Sequence, residues 1–160
     1  MRFYTTYASP IGTLWIEIAD NALTGIWITG QKHFPGDLTS RASENFDHPL
    51  LTEVTNWLKE YFNGGRPDPT IIELAPEGSY FQKSVWKLLL AIPYGQTVTY
   101  GALATAIGKP NACQAVGNAV GKNPISILIP CHRVLGASGS LTGYAGGIIN
   151  KQFLLKLEHE

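Results

Sequence analysis

The sequence predicts an α+β protein of two lobes, a small antiparallel-sheet lobe over residues 1–76 and a mainly helical lobe over residues 77–160. Three observations predict it. Branched and aromatic residues gather into short runs near the start of the chain, with turn-forming residues between them. Beyond position 79 the apolar residues recur at helical spacing instead. The charge also changes sign along a chain whose net charge is zero: residues 1–80 hold five Lys/Arg against ten Asp/Glu, and residues 81–160 hold seven against two. A basic lobe suits a polyanionic partner, although such a split is also an ordinary property of solvated surfaces.

Taken in order, Phe3 to Tyr7, Thr13 to Ile18 and Gly25 to Ile28 read as strands, turned by Ser9-Pro10 with Gly12 and by Ala19-Asp20-Asn21. Residues 30–48 are polar and broken by Pro35 and Gly36, which predicts a loop. From Pro49 the positions Leu50, Leu51, Val54, Trp57, Leu58 and Tyr61 predict a helix, stopped by Asn63-Gly64-Gly65. A stiff connector, Arg66-Pro67-Asp68-Pro69, leads to a short strand-like run from Thr70 to Leu74.

The second lobe opens with a helix from Tyr80 to Ile92, whose apolar face is Phe81, Val85, Trp86, Leu88 and Leu89. Thr97 to Thr99 is extended, and Thr99 is suited to cap a helix from Tyr100 to Ile107. Gly108-Lys109-Pro110 stops that helix, and Asn111 is placed to cap the next, from Ala112 to about Gly121. Helix, tight turn and helix in a basic lobe is the arrangement of a helix-turn-helix DNA reader, and also of many hairpins that bind nothing. The second of these helices is unusually small-sided, with Ala112, Ala115, Gly117, Ala119 and Gly121, so another surface can approach its backbone closely. Ile125 to Ile129 reads as a buried strand delivering Pro130-Cys131-His132-Arg133 to its end. Flexible loops follow at 136–140 and 143–147, then a last helix from Asn150 to Glu158 with Phe153, Leu154 and Leu157 facing inward.

No run approaches the ~20 apolar residues that span a bilayer, and the N-terminus lacks the charged-then-apolar order of an export signal. The expected compartment is therefore the cytoplasm, where the two cysteines, Cys113 and Cys131, stay reduced. They stand eighteen residues apart, without the close pairing that structural zinc requires, so no metal is expected. Cys113, on the small-sided helix, reads as a packing residue. A cysteine–histidine dyad needs its histidine folded in from a distance, and neighbours on an extended segment point to opposite faces. The adjacency of Cys131 and His132 therefore proves nothing by itself.

Pro130-Cys131-His132-Arg133-Val134 resembles the active-site signature of the O6-alkylguanine-DNA alkyltransferases, also called methylated-DNA–protein-cysteine methyltransferases, of the single-chain type found in bacteria. Val98-Thr99-Tyr100, Pro110-Asn111-Ala112, Ala115-Val116-Gly117-Asn118-Ala119, Gly121-Lys122-Asn123-Pro124, Gly143-Tyr144-Ala145-Gly146-Gly147 and Leu154-Leu155-Lys156-Leu157-Glu158 are similar to the same family, in the same order. The resemblance covers roughly residues 80–158; the first lobe agrees in size and strand content.

The resemblance implies a ribonuclease-H-like first lobe and a winged helix-turn-helix second lobe. It implies direct-reversal DNA repair: a damaged guanine, and O4-alkylthymine as well, is flipped out of duplex DNA and its alkyl group passes irreversibly to Cys131. His132 and Glu158, through a water, would deprotonate the cysteine, Asn123 would brace the active-site turn, and Tyr100 would hydrogen-bond the leaving purine. Gln114, Ala115, Gly117, Tyr100 and Arg133 would contact DNA, the small-sided helix entering the minor groove. Val134, Tyr144, Ala145 and Gly146 would line the base pocket. The partner is double-stranded DNA carrying O6-alkylguanine, with no cofactor, no membrane and no obligate protein partner, the protein acting once as a monomer. Where the family usually carries an arginine that fills the gap left by the flipped base, this chain has Gln114, which brings no charge and less stacking area; slower flipping or weaker binding is expected. A lesion sensor of the alkyltransferase-like kind, the repair half of a two-part regulator and a plain cysteine hydrolase are the competing readings. Cys131, the lack of a cysteine-rich sensing domain and the lack of a triad speak against them in turn.

Overall fold

In the computed structural model, which describes residues 1–159, strands β1 (Arg2–Ser9), β2 (Gly12–Ala19) and β3 (Ala22–Ile28) form an antiparallel meander. Its turns follow the local chemistry. The Ser9 hydroxyl accepts from the Ile11 N–H and donates to Gly12 O, and Gly12 takes φ +110°. Asp20 and Asn21 both adopt left-handed φ, which these residues tolerate better than most. Leu14, Ile16 and Ile18 alternate onto the core face of β2.

Residues 30–48 are not wholly loop. Asp37 accepts from the Thr39 N–H and starts a one-turn helix, α1 (Leu38–Arg41), and β4 (Ser43–Glu44) pairs parallel to β1. The turn is anchored by tertiary charge: Arg41 Nε and Nη2 donate to the fully buried Glu17 at 2.7 and 2.9 Å, joined by Arg2 Nη1 at 2.9 Å and Thr24 Oγ1 at 2.7 Å. Helix α2 (Pro49–Phe62) forms as expected and lays Leu51, Val54 and Leu58 on the sheet. The strand expected from Thr70 to Leu74 is mostly a 3₁₀ turn at Pro69–Ile71, begun by the Asp68 carboxylate accepting from Thr70. Only its end runs beside β3, through Leu23 N–H to Glu73 O and Ala75 N–H to Leu23 O, both 2.8 Å.

Helix α3 (Tyr80–Leu90) begins with a reciprocal Ser79–Gln82 cap and buries Val85, Trp86 and Leu89. The extended pair β5 (Val98–Thr99) leads into α4 (Tyr100–Ala106), where Thr99 caps Ala102 N–H at 3.1 Å as predicted. Helix α5 (Cys113–Gly121) has no side-chain cap, so the role expected of Asn111 is not realised. The Lys109–Ala112 turn closes through its own backbone, and the helix starts one residue beyond Ala112. Trp86 Nε1 donates to Ala119 O at 2.8 Å and ties α3 to α5.

The strand expected from Ile125 to Ile129 is instead a buried tight coil. Ile127 has φ +73°, which no strand allows, and Ile129 N–H folds back to Ile125 O. Cys131–Arg133 is a 3₁₀ turn, after which β6 (Val134–Leu135) pairs parallel to β5. Helix α6 (Ile148–Glu158) turns Lys151, Leu154 and Glu158 inward. Phe153, expected inward, lies off that stripe and is 39% exposed, its ring 6.5 Å from Phe62. The core is continuous through both lobes, from Leu14 and Ile16 to Val116, Ile129 and Leu154.

Candidate active site

The coil before Cys131 is held by one side chain. Asn123 Nδ2 donates to Ile129 O at 2.8 Å and to Ile125 O at 3.3 Å, and its Oδ1 accepts from Ile125 N–H at 3.0 Å. Ile129 O also accepts from Cys131 N–H at 2.8 Å, so the nucleophile's backbone and the brace share an acceptor. Cys131 is buried, and burial pushes its thiol up, against the pull of Asn123, of Lys151 and of the Cys131 and His132 backbone N–H groups.

Within the 3₁₀ turn His132 is fully buried, and its Nε2 lies 2.6 Å from Glu158 Oε2. Its Nδ1, also buried, has no hydrogen-bond partner among the described residues. Burial lowers the imidazole's pKa, partly resisted by Glu158, so the ring is neutral near pH 7. Glu158 also receives Arg133 Nε at 2.7 Å, Arg133 Nη2 at 3.0 Å and the Tyr61 hydroxyl at 2.6 Å. Burial alone would raise this carboxyl, but those donors outweigh it and hold it far below the usual carboxylate range. An ionised Glu158 places the imidazole proton on Nε2 and leaves the Nδ1 lone pair free.

Arg133, expected at the DNA, is instead buried between Glu158 and Ile92 O, which accepts from Nη1 at 2.8 Å. Its fork has the geometry to neutralise a buried carboxylate, and that use removes it from the surface. Two residues of the site were not anticipated from the sequence. Tyr61 arrives from α2 of the other lobe, and no local signal marks it. Lys151 is fully buried, its Nζ donating to Val134 O at 2.5 Å and Thr142 O at 3.0 Å, and burial lowers its pKa while the Cys131 charge opposes. A readable signal existed for the lysine: it shares the inward stripe of α6 with Leu154 and Glu158, at helical spacing.

A cavity of about 260 Å³ opens between α5 and the 143–145 loop, lined by Tyr100, Gly117, Lys122, Tyr144 and Ala145 among others. Tyr100 and Tyr144 also face Cys131: burial first, then the cysteine's charge, raises both hydroxyls. The Tyr100 hydroxyl makes only long bonds, 3.3 and 3.4 Å, to Gly143 O and Thr142 O, and so can exchange them for a ligand. Gly117 stands beside the Tyr100 ring, and Gly146 lets the loop close on β3, since a Cβ there would meet Ile28 Cδ1 at 2.5 Å. Gly146 and the buried Val134 are not on the cavity lining, and Gln114 and Ala115 lie exposed on the outward face of α5. A larger hollow of about 610 Å³ beside α3, bounded by Phe81, Leu88 and Ile107, has no cysteine, histidine or carboxylate on its lining. Among the described residues no group of three or more His, Cys, Asp or Glu side chains could hold a metal, and no helix is long and apolar enough to cross a membrane.

Two family models match the chain: the 6-O-methylguanine DNA methyltransferase ribonuclease-like domain over residues 2–76, and the DNA binding domain of the same name over residues 80–160. A methylated-DNA–protein-cysteine methyltransferase of Methanosarcina barkeri is 45% identical over 157 residues, covering 98% of this chain and 96% of that protein. The protein of that name from Mycobacterium tuberculosis is 45% identical over 158 residues, 99% of this chain and 93% of its own. The crystal structure of Mycobacterium tuberculosis OGT in complex with DNA superposes with a TM-score of 0.89 at 42% identity, covering 98% of this chain and 92% of that one.

Proposed function

The chain belongs to the 6-O-methylguanine DNA methyltransferase family, and from that premise we propose how its residues carry out direct-reversal repair of alkylated DNA. The substrate is duplex DNA bearing O6-alkylguanine, with O4-alkylthymine as a second lesion, and the acceptor is Cys131. The observation that carries this reading is the buried His132–Glu158 pair next to the buried Cys131, with the Nδ1 lone pair of His132 uncommitted, beside a cavity whose Tyr100 and Tyr144 feel the charge of Cys131.

A base inside a duplex is out of reach of a buried sulfur, so the lesion is extruded into the cavity. The thiol proton passes to His132 Nδ1, through a water where the two are apart, and Glu158 stabilises the imidazolium that forms. The thiolate attacks the alkyl carbon; the S–C bond forms as the C–O6 bond breaks, and the electron pair enters the purine. Tyr100 meets that charge with its hydroxyl. Lys151 ties β6 to the segment before the 143–145 loop through the Val134 and Thr142 carbonyls and places a positive charge near the sulfur. The product thioether has no group beside it able to cleave it, so each molecule acts once. No cofactor takes part in these steps, and the reading is of a cytoplasmic monomer.

On the DNA side, α5 presents Gln114, Ala115 and Asn118 outward, an uncharged face of short and medium side chains that suits a groove. Incubation with duplex containing O6-methylguanine, followed by intact-protein mass spectrometry and peptide mapping, is expected to show a gain of one methyl on Cys131, absent in Cys131→Ser. Lesion binding without that gain would replace transfer by sensing.

A further inference from the structure

The first lobe is acidic, yet the side chains it sends to the lesion cavity are Lys32 and His33, both exposed on the lining. The loop after β3 that carries them is fixed rather than draped. The Gln31 carboxamide accepts from Ile28 N–H at 2.8 Å and donates to Lys32 O at 3.3 Å. The Lys32 N–H then donates to Ala145 O at 3.0 Å, so the first-lobe loop and the pocket loop share a hydrogen bond at the cavity wall. His33 sits at φ +64°, a conformation that is costly for a side chain with a Cβ and that persists where surroundings impose it. The same lining carries Lys122, contributed by the second lobe just past the end of α5.

The other bases of the first lobe are committed or distant. Arg2 and Arg41 bond Glu17, Arg66 lies over the Tyr94 ring, and Lys59 is on α2. Lys32 alone among these five is on the cavity lining. Extruding a nucleotide turns its flanking phosphates toward the pocket mouth and crowds their charges, and a cation on one side only would leave the other flank unneutralised. Building on the repair reading above, we propose that Lys32 and His33 are DNA-contacting residues of the first lobe, gripping the backbone beside the flipped nucleotide together with Lys122. DNA is then held across the cavity by both lobes.

The test measures duplex affinity against salt concentration in the unreactive Cys131→Ser background, with and without Lys32→Ala. It also compares methyl transfer from duplex and from the free base O6-methylguanine in Lys32→Ala, His33→Ala and Lys32→Arg proteins. Loss of one phosphate contact is expected to weaken duplex binding about fivefold and reduce the slope of log affinity on log salt by about one, with Lys32→Arg restoring both. The transfer rate should fall several-fold more on duplex than on free base. An unchanged salt slope in Lys32→Ala, or equal losses on duplex and free base, would overturn the proposal and assign the loop to pocket shape alone. Failure of unsubstituted protein to methylate Cys131 from either substrate would instead defeat the repair reading, while the salt slope still reports on Lys32.

Discussion

His132 commits Nε2 to Glu158 and leaves Nδ1 without a partner among the described residues, and in the proposed mechanism, where Nδ1 takes the cysteine's proton, this division sets the pH response. Burial holds the imidazole below its ordinary pKa of 6.5 and the Cys131 thiol above its ordinary value, so at neutral pH the resting pair is thiol and neutral imidazole. As pH falls through the histidine's pKa, the ring gains a proton and stops accepting; the rate should fall about tenfold per unit below that point. Between about pH 6.5 and 8 the internal transfer should keep the rate nearly flat, whereas ionisation of the cysteine to solvent alone would raise it about tenfold per unit. Single-turnover rates on methylated duplex across that range decide between the two. The His132–Glu158 pair and the Asn123 brace, which the family resemblance implied, are both formed in the structure, and the motif made them legible. Tyr61 and the inward turn of Arg133 were not. Each depends on Glu158, respectively 97 and 25 residues away in the chain, and tertiary burial leaves no local trace at those positions.

At the scale of elements, α5 shows what pattern conveys and what it omits. Its approximate length follows from the sequence pattern, while its start does not, because Asn111 competes with a backbone turn that needs no side chain. Gln114 sits on the exposed face of its first turn. Gln114→Arg adds a cation and a broad planar group where the proposed mechanism puts the gap left by an extruded base, and should tighten lesion-duplex binding several-fold and speed transfer on duplex. Equal rates and equal affinity in the two proteins would remove position 114 from the flipping step. The coil at 125–129 is the opposite case. Four branched or apolar positions and one serine read as strand, yet Asn123 takes the carbonyls at both ends while Ile127 turns left-handed. Local propensity lost there to a single buried carboxamide, whose reach is invisible in a linear pattern.

The whole molecule joins what the charge pattern divides. The acidic and basic halves share one core, and Tyr61 of the first lobe donates to Glu158 of the second. Heat or denaturant should therefore unfold both in one transition, with calorimetric and van't Hoff enthalpies equal; two separated transitions would show that the lobes are energetically independent. Fold class was legible at this scale because periodicities of two and of about 3.6 occupy different stretches of the chain. The union of the lobes was not, since it rests on contacts between distant segments. One of those contacts limits how the protein can be dismantled. The outer edge of β3 is filled by the segment leading to the nucleophile, through Ile26 N–H to Pro124 O at 2.8 Å and Ser126 N–H to Ile26 O at 3.2 Å. Cut between the two matched spans, the first lobe would bare the fully buried strand β3 with the Ile26 donor and acceptor open, a template for joining strands of other molecules. The halves are thus poor currency for recombination among relatives: a foreign second lobe would have to match β3 strand for strand before it could offer a cysteine at all.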